Sequence, residues 1–239
     1  MGLLLLVKYP NFHLVMNILV VGGNDSAKEC RHKFGPDHTY IHEESQKQAR
    51  ASLDQCEVVF DFLNDLTPNQ LESYRGIQAP VFINTTKISL HVLNPPLTPP
   101  LAIRQFGFAG LPTFLNRPVL EVSLLQPEHR KELTDLCHRL GTDFQIVEDR
   151  VGLVTPRVIC MIINEAYCTV EEGTATREDI DLAMTLGTNY PFGPFEWCRK
   201  IGVKEVYELL AAVYKDSKNP RYKICPLLRK EYLAVTGMG

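Results

Sequence analysis

Short hydrophobic runs alternate with longer polar stretches over residues 16–148. The runs with the length and β-branched content of buried strands are Asn17–Val21, Thr39–His42, Val58–Phe62, Val81–Asn84, Val119–Leu124 and Phe144–Val147. The stretches between them that suit helices are Ser26–Phe34, Glu44–Leu53, Pro68–Tyr74 and Glu128–Leu140. Strands that alternate with helices predict an α/β fold with a mostly parallel sheet, covered on both faces.

The pattern changes to purely helical spacing after Asp149. Thr155 is expected to cap a helix, and Pro156 suits its first turn, where proline lacks only an amide that would be unpaired. Hydrophobic residues then follow one helical face as far as Val170, and Gly173 is the expected stop. The C-terminal part of the chain is therefore predicted to be all helical.

Local signals place the remaining helices. Thr176 and Asp179 have the spacing of a capping box for the next helix. The helices predicted from here on are Arg177–Leu186, Phe195–Ile201 and, as the last one, Val203–Tyr214. The proline-rich stretch Leu93–Leu101 is expected to be an exposed loop. The predicted organisation is an N-terminal extension (1–15), an α/β domain (16–148) and a helical domain (149–239).

Composition narrows the class of protein. The net charge is −3 over 239 residues and no long basic run occurs, so neither nucleic acid nor an anionic membrane surface is an expected partner. The seven cysteines are scattered and form no C-x-x-C pair, which argues against a disulfide framework or a zinc site and for a reducing compartment. The first apolar run is too short for a membrane span and lacks the features of a signal peptide. We therefore expect a cytoplasmic protein.

A series of motifs in the helical part, in conserved order along the chain, carries a family resemblance. They are Gly152, Arg157, NEA (Asn164–Ala166), EEGTAT (Glu171–Thr176), DIDLAM (Asp179–Met184), GTNYPFGPFEW (Gly187–Trp197), Ile201-Gly202 and CPLLRK (Cys225–Lys230). This pattern resembles the C-terminal domain of the 3-hydroxyacyl-CoA dehydrogenase family. The resemblance implies a Rossmann-like NAD-binding domain, here shortened, before the helical domain. It also implies acyl-CoA as the small-molecule ligand and a homodimer formed through the C-terminal helices.

The candidate NAD site is the turn after the first strand. A diphosphate site at such a turn needs three glycines, of which Gly22 and Gly23 stand here while Asn24 and Asp25 follow. Asn24 places a side chain where the ligand should approach, and Asp25 places a negative charge beside an anion site. The sequence favours a helix whose N-terminus is capped by the side chain of Asn24 or Asp25, with no phosphate bound there. Glu43 has the position of a ribose-binding acid.

The candidate catalytic residues come from the resemblance, which implies a histidine general base oriented by a glutamate. Glu121 matches the glutamate, but Pro112 follows the Phe-Ala-Gly-Leu string where the histidine belongs. His91 reproduces a histidine-x-x-asparagine-proline pattern at the wrong spacing, which favours a chance match. Asn84 and Thr86 match the strand end where a hydroxyl of the family contacts substrate.

Three functional hypotheses follow. The first is a family member with degraded NAD and base sites, which binds an acyl-CoA or a partner without oxidation. The second is an active NAD-dependent 3-hydroxyacyl-CoA dehydrogenase, for example of 3-hydroxybutyryl-CoA, that uses His91 or a divergent base. The third is a non-catalytic assembly subunit whose helical domain pairs with a full-length homologue. The sequence favours the first, because the phosphate-binding turn and the base are altered together.

Overall fold

A computed structural model describes residues 15–95 and 103–237. The predicted N-terminal extension lies, apart from its last residue, outside the described residues. So does most of the proline-rich stretch.

One seven-stranded sheet forms the N-terminal half of the described chain. Its strands are β1 (Asn17–Val21), β2 (Thr39–Glu43), β3 (Val58–Asp61), β4 (Val81–Asn84), β5 (Gln105–Phe108), β6 (Val119–Leu124) and β7 (Asp143–Val147). Their order is β2-β1-β3-β4-β5-β6-β7. The first five strands are parallel, β6 is antiparallel to β5, and β7 is parallel to β6. The predicted mostly parallel sheet is confirmed, and the ends of β1, β3, β4 and β5 meet at one edge.

Helices cover the sheet and then form the C-terminal region. They are α1 (Asn24–Phe34), α2 (Gln46–Ala49), α3 (Leu90–Leu93), α4 (Arg130–Arg139), α5 (Thr155–Glu171), α6 (Arg177–Thr188), α7 (Pro194–Ile201), α8 (Val203–Ser217) and α9 (Pro226–Thr236). Short 3-10 helices occur at Arg50–Gln55, Pro68–Tyr74, Pro127–His129 and Pro220–Tyr222. The predicted helical C-terminal region is confirmed. In the part of the chain that the structure describes, no helix is long and apolar enough to cross a membrane.

Several elements differ from the sequence expectations. The strand β5 was not predicted, since a glycine interrupts its short apolar run. Gly107 is required there, because a Cβ atom would lie 2.2 Å from Ser123 Oγ on the adjacent strand. The four-residue helix α3 begins in a stretch assigned to no element. The prediction that Val203–Tyr214 is the last helix is wrong, because α9 follows it.

Separate hydrophobic clusters stabilise the two halves. On one face of the sheet, Phe60 and Phe82 stack with ring centroids 4.5 Å apart. In the helical half, Tyr167 on α5 packs against Phe195 on α7 with centroids 5.0 Å apart, and both rings are buried. Side chains of this size contribute most of the apolar area buried in a core. The hydrophobic core of the helical half is thus distinct from those of the sheet, and it also includes Ala109, Leu111 and Phe114 from the segment after β5.

The two halves meet at the edge where the parallel strands end. The backbone amide of Gly152 donates to the carbonyl oxygen of Thr86 at 2.8 Å, which joins the start of the helical half to the end of β4. Gly152 has a φ of 85°, a left-handed conformation that glycine adopts without strain. This junction brings α8 over the strand ends that carry the candidate site residues.

Candidate functional site

The glycine-rich turn leads from β1 into α1. Gly23 is the N-cap residue, with extended backbone angles, and no side chain caps the helix. The expectation that Asn24 or Asp25 caps α1 is wrong: both lie within the helix, past the position from which a side chain can reach back to the first amides. Asp25 instead forms an exposed ion pair with Lys28 at 2.8 Å, which lowers the pKa of Asp25. The turn leaves little space for a side chain at Gly22, since a Cβ atom there would lie 3.0 Å from Phe62 Cβ.

Glu43, the candidate ribose-binding acid, ends β2 beside this turn. Its backbone carbonyl accepts from the amide of Gly22 at 2.9 Å, and its carboxylate accepts from the Ser52 hydroxyl at 3.1 Å. The neighbouring His42 contacts the Gly22 carbonyl oxygen through Nε2 at 2.8 Å. The end of β2 is therefore tied to the turn by backbone and side-chain contacts.

A cleft of about 330 Å³ opens between the turn, the end of β3 and the segment after β5. Its lining includes Gly22 and Gly23 on one side and Pro112 on the other. The charged residues of its lining are all acidic: Asp25, Glu29, Asp65 and Glu205. Asp25 is paired with Lys28 and Glu205 with Lys87, so the remaining acidic potential comes mainly from Glu29 and Asp65 and disfavours a phosphate-bearing ligand. The acidic lining therefore weakens the fit of this cleft to the diphosphate of NAD.

Glu29 is the half-buried member of this acidic lining. Burial raises the pKa of its carboxyl group, against hydrogen bonds from the backbone of Asn116, Thr113 and Leu115 that lower it. The Asn116 amide donates to its Oε1 at 3.2 Å. Glu29 thereby fixes the segment that carries Pro112 against α1.

Lys87, immediately after β4, ties the strand edge to α8. Its ammonium group lies 2.8 Å from Glu205 and 2.5 Å from Glu208, and its side chain is only 10% exposed. Burial lowers the pKa of Lys87, but the hydrogen bonds and charges of the two glutamates outweigh it and leave the pKa raised. A buried cation with two acidic partners holds α8 against the sheet.

Asn84 and Thr86, the candidate substrate-binding residues, belong to the same polar network. The buried Thr86 hydroxyl donates to Asn84 Oδ1 at 2.6 Å, and Asn84 Nδ2 donates to Asn64 Oδ1 at 2.6 Å. Asn64 in turn donates to Glu205 at 3.1 Å, the carboxylate that also binds Lys87. A continuous chain of hydrogen bonds thus runs from the Thr86 hydroxyl to α8. These polar groups are already hydrogen-bonded to other groups of the protein.

The segment after β5 is held against Asn84 as well. The Gly110 amide donates to Asn84 Oδ1 at 3.1 Å, and a Cβ atom at Gly110 would lie 2.6 Å from Asn84 Cγ. Only glycine allows this approach. The position where the family places its histidine therefore follows a backbone segment fixed to the end of β4.

Glu121, the candidate catalytic carboxylate, contacts the beginning of α5. Its oxygens accept from the backbone amide of Thr155 at 2.9 and 3.0 Å and from that of Val154 at 3.1 Å. Thr155 is the first residue of α5, so the expectation that it caps this helix is wrong. The carboxylate of Glu121 binds the free amides instead. Glu121 lies at the N-terminus of a helix rather than beside an imidazole.

The candidate bases lie apart from Glu121. Pro112, which has no titratable group, lies at the exposed rim of the cleft. His91 is exposed on α3, and its backbone amide donates to Asp149 at 2.8 Å. Over residues 15–95 and 103–237, no hydrogen bond joins His91 to Glu121. The structure thus brings Asn84 and Thr86 together, but not His91 and Glu121.

Asp61, at the end of β3, is a residue that sequence reasoning missed. It is fully buried, and it accepts from Gln46 at 2.6 Å, the Tyr74 hydroxyl at 2.8 Å and the Leu63 amide at 3.0 Å. Burial raises its pKa, while the three hydrogen bonds act in the opposite direction. The available signal was an acidic residue at a core position within a run of hydrophobic residues. No cluster of histidine, cysteine or acidic residues in the described chain could hold a metal ion.

Comparisons with known proteins agree with these motifs. Residues 152–235 match the family model described as 3-hydroxyacyl-CoA dehydrogenase, C-terminal domain. The chain is 38% identical over 108 residues to the 3-hydroxyadipyl-CoA dehydrogenase of Escherichia coli K12, which covers 45% of this chain and 22% of that protein. It is 31% identical over 134 residues to the mitochondrial hydroxyacyl-coenzyme A dehydrogenase of Sus scrofa, which covers 53% and 43%. The chain thus matches less than half the length of these two relatives.

Solved structures show the same fold over nearly the whole chain. The (S)-3-hydroxybutyryl-CoA dehydrogenase of Ralstonia eutropha superposes with a TM-score of 0.67 at 19% identity, over 94% of this chain and 95% of that one. The 3-hydroxybutyryl-CoA dehydrogenase of Escherichia coli gives a TM-score of 0.70 at 18% identity, over 94% and 57%. The fold is therefore Rossmann-like with a helical C-terminal region. Over residues 152–235 the chain is similar to the C-terminal domain of the 3-hydroxyacyl-CoA dehydrogenase family.

Proposed function

We propose that this protein acts in fatty acyl-CoA metabolism by binding an acyl-CoA or a protein partner without oxidising a substrate. The observation that carries the proposal is the position of Glu121, whose oxygens bind the first amides of α5, combined with Pro112 where a histidine base would stand. Oxidation of a 3-hydroxyl group needs a base that can take its proton and an acceptor for its hydride. Pro112 offers no titratable group for the first of these roles, and the acidic lining of the cleft disfavours the phosphates of NAD, which would supply the second.

The hydrogen bonds of the other candidate residues support the same proposal. The Thr86 hydroxyl is fully buried and donates to Asn84, so a substrate would have to displace that bond to use it. An acidic cleft disfavours the phosphates of NAD. An acyl-CoA ligand would have to place its own phosphates away from this cleft, with only its acyl-pantetheine arm directed towards it.

Calorimetric titration with NADH and with acetoacetyl-CoA, each alone and then together, tests the proposal. We expect heat of binding from acetoacetyl-CoA with no requirement for NADH, and no oxidation of NADH when both are present. Free coenzyme A is the matched control, since it lacks the acyl group. Turnover of NADH by the unmodified protein would contradict the proposal. If neither the thioester nor coenzyme A binds, only the version of the proposal in which the ligand is a protein partner remains.

The alternative is an active NAD-dependent dehydrogenase with His91 as its base. Its support is the exposure of His91 and the dehydrogenase activity named for the relatives. It predicts that His91→Gln abolishes NADH oxidation by acetoacetyl-CoA while leaving the fold intact. A protein inactive with and without the substitution would exclude this alternative.

We also propose homodimerisation, or pairing with a full-length homologue, through the C-terminal helices. None of the residues of α6 is buried, and its Leu182 and Leu186 are 59% and 77% exposed. Large apolar side chains on one helical face mark interaction surfaces. Light scattering should show a dimer that dissociates when both leucines are changed to aspartate. Val235→Asp, at a 63% exposed position on α9, is the control expected to leave the dimer unchanged.

The proposed location is the cytoplasm. The seven cysteines are all free, as suits a reducing compartment. Detection of a tagged full-length protein in the soluble cell fraction would agree with this.

A further inference from the structure

The last helix, α9, begins against the middle of α5. Cys225 is its N-cap residue, and the Cys225 amide donates to Asn164 Oδ1 at 2.9 Å. The same Asn164 side chain donates to the carbonyl oxygen of Lys223 at 3.1 Å. Farther along α5, Glu171 accepts from the Cys225 thiol at 3.4 Å. Cys225 is thus held between two positions of one face of α5.

A second cysteine occupies the same face between those positions. Cys168 follows Asn164 by four residues and precedes Glu171 by three, so the three side chains lie in one row along the helix. Because Cys225 is held by Asn164 on one side of Cys168 and by Glu171 on the other, its thiol lies beside the Cys168 thiol. Cys168 is partly exposed, whereas Cys225 is only 2% exposed. A small oxidant can therefore reach one thiol of the pair directly.

We propose that Cys168 and Cys225 form an oxidative modification site, in which a small disulfide such as oxidised glutathione converts the two thiols into an intramolecular disulfide. In the first step the Cys168 thiolate attacks the small disulfide, which releases one reduced thiol and leaves a mixed disulfide on Cys168. In the second step the Cys225 sulfur displaces the other small thiol. Two protein thiols are oxidised, and one small disulfide is reduced to two thiols.

The surroundings determine how readily the reaction proceeds. Burial, followed by the hydrogen bond with Cys225 and the charges of Glu165 and Glu171, raises the pKa of Cys168 to about 12. The thiolate is the attacking species, so cross-linking is slow near neutral pH and accelerates as the pH rises. The site therefore responds to sustained oxidation and not to a brief pulse.

Three other cysteines lack this combination of exposure and proximity. Cys160 is fully buried on α5, and burial raises its pKa far above the ordinary value. Cys198 is buried against the Tyr167 hydroxyl, 3.7 Å away. Cys56, the other partly exposed thiol, donates to the carbonyl oxygen of Leu53 at 3.3 Å. Cys56 therefore serves as the matched control position.

A disulfide at this site would fasten α9 to α5. The docked helix already depends on side-chain contacts, since Glu231 on α9 accepts from the Tyr167 hydroxyl at 2.6 Å and pairs with Arg177. The cross-link would restrict the unfolded chain and so raise the melting temperature of the whole protein, by roughly 4 °C or more.

Non-reducing peptide mapping of the full chain tests the proposal. The protein is incubated with oxidised glutathione at a range of pH values, the remaining thiols are alkylated, and the digest is analysed by mass spectrometry. We expect a peptide pair joined through Cys168 and Cys225, formed faster as the pH rises and reversed by a reducing agent. The melting temperature of the oxidised protein should exceed that of the reduced protein.

Single variants separate the two steps. With Cys225→Ser, glutathione should remain attached to Cys168, because the second thiol is absent. With Cys168→Ser, Cys225 should stay unmodified, because oxidant cannot reach it. Cys56→Ser should form the cross-link as the unmodified protein does. A persistent glutathione adduct on Cys168 of the unmodified protein, or a disulfide between two copies through Cys168, would overturn the proposal.

Discussion

Glu121 on β6 accepts the backbone amide of Thr155 through both carboxylate oxygens, at 2.9 and 3.0 Å. The amide of Val154 adds a third contact to the same carboxylate. A negative charge at this point also interacts favourably with the dipole of α5. The residue that the family resemblance marks as catalytic thus serves in this protein as a helix cap.

Removal of the negative charge of Glu121 should lower the stability of the folded protein. We expect Glu121→Gln to lower the free energy of unfolding by about 1 kcal/mol, since the amide side chain offers one acceptor oxygen and no charge. Urea denaturation measures this difference. Glu44→Gln, at an exposed position, is the control and should change stability by less than about 0.5 kcal/mol. Equal stability of both variants would show that Glu121 does not cap α5.

Loss of the Lys87 cation should destabilise the contact between α8 and the sheet. We expect Lys87→Met to reduce the free energy of unfolding by about 2 kcal/mol, because Glu205 and Glu208 then face each other without their cation in a poorly exposed place. Chemical denaturation provides the measurement. Addition of Glu208→Gln should recover part of the loss.

An exposed ion pair offers the comparison for Lys87. Lys200 lies 3.6 Å from Glu196 on α7, and both side chains are about 40% exposed. Lys200→Met should cost less than about 0.5 kcal/mol, since solvent screens such pairs. A similar loss for the two lysine variants would mean that the Lys87 cluster stabilises no more than a surface pair does.

The glycine-rich turn should gain affinity for NADH when Asn24 and Asp25 are replaced. We expect the double variant Asn24→Gly with Asp25→Thr to bind NADH at least several-fold more tightly than the unmodified protein, in a fluorescence titration. The fold should persist, because Gly22 still forms the turn. Low-micromolar NADH binding by the unmodified protein would falsify this account.

A second variant isolates the electrostatic part of that effect. Asp65 lines the same cleft but lies outside the turn, and it is exposed. If acidic potential opposes the diphosphate, Asp65→Asn alone should also increase affinity, by less than the double variant does. An unchanged affinity would assign the effect to the shape of the turn.

The buried Asp61 predicts a dependence of stability on pH. Its pKa in the folded protein is raised above the ordinary value of 3.8, mainly by burial. The unfolded chain therefore ionises first, and the stability present below pH 3.8 is progressively lost as the pH rises through the folded pKa. Asp61→Asn should be less stable than the unmodified protein at low pH, and this difference should shrink as the pH rises. Denaturation at several pH values between about 4 and 8 measures it.

The elements that could be predicted from the sequence are those determined by residues close to one another along the chain. The strand β1 follows directly from its hydrophobic run, and Thr176 caps α6 through the amide of Asp179, three positions away. The cap on α5 was missed because Glu121 and Thr155 are 34 positions apart, so no local pattern reveals their contact. Lys87 and Glu208 are 121 positions apart. The altered turn and the missing histidine could be read from the sequence, whereas the contacts of the remaining polar residues could not.

Two carboxylates of the sheet region each complete the start of a helix elsewhere in the chain. Glu121 binds the first amides of α5, and Asp149 accepts from the amides of Leu90 and His91 at the start of α3. Glu121 and Asp149 can bind these amides only once β6 and β7 are in place, since β7 ends just before Asp149. These two contacts should therefore form late in folding, after the strands β6 and β7 have paired. A fragment cut between β7 and α5 would leave Glu121 on one piece and the amides it binds on the other.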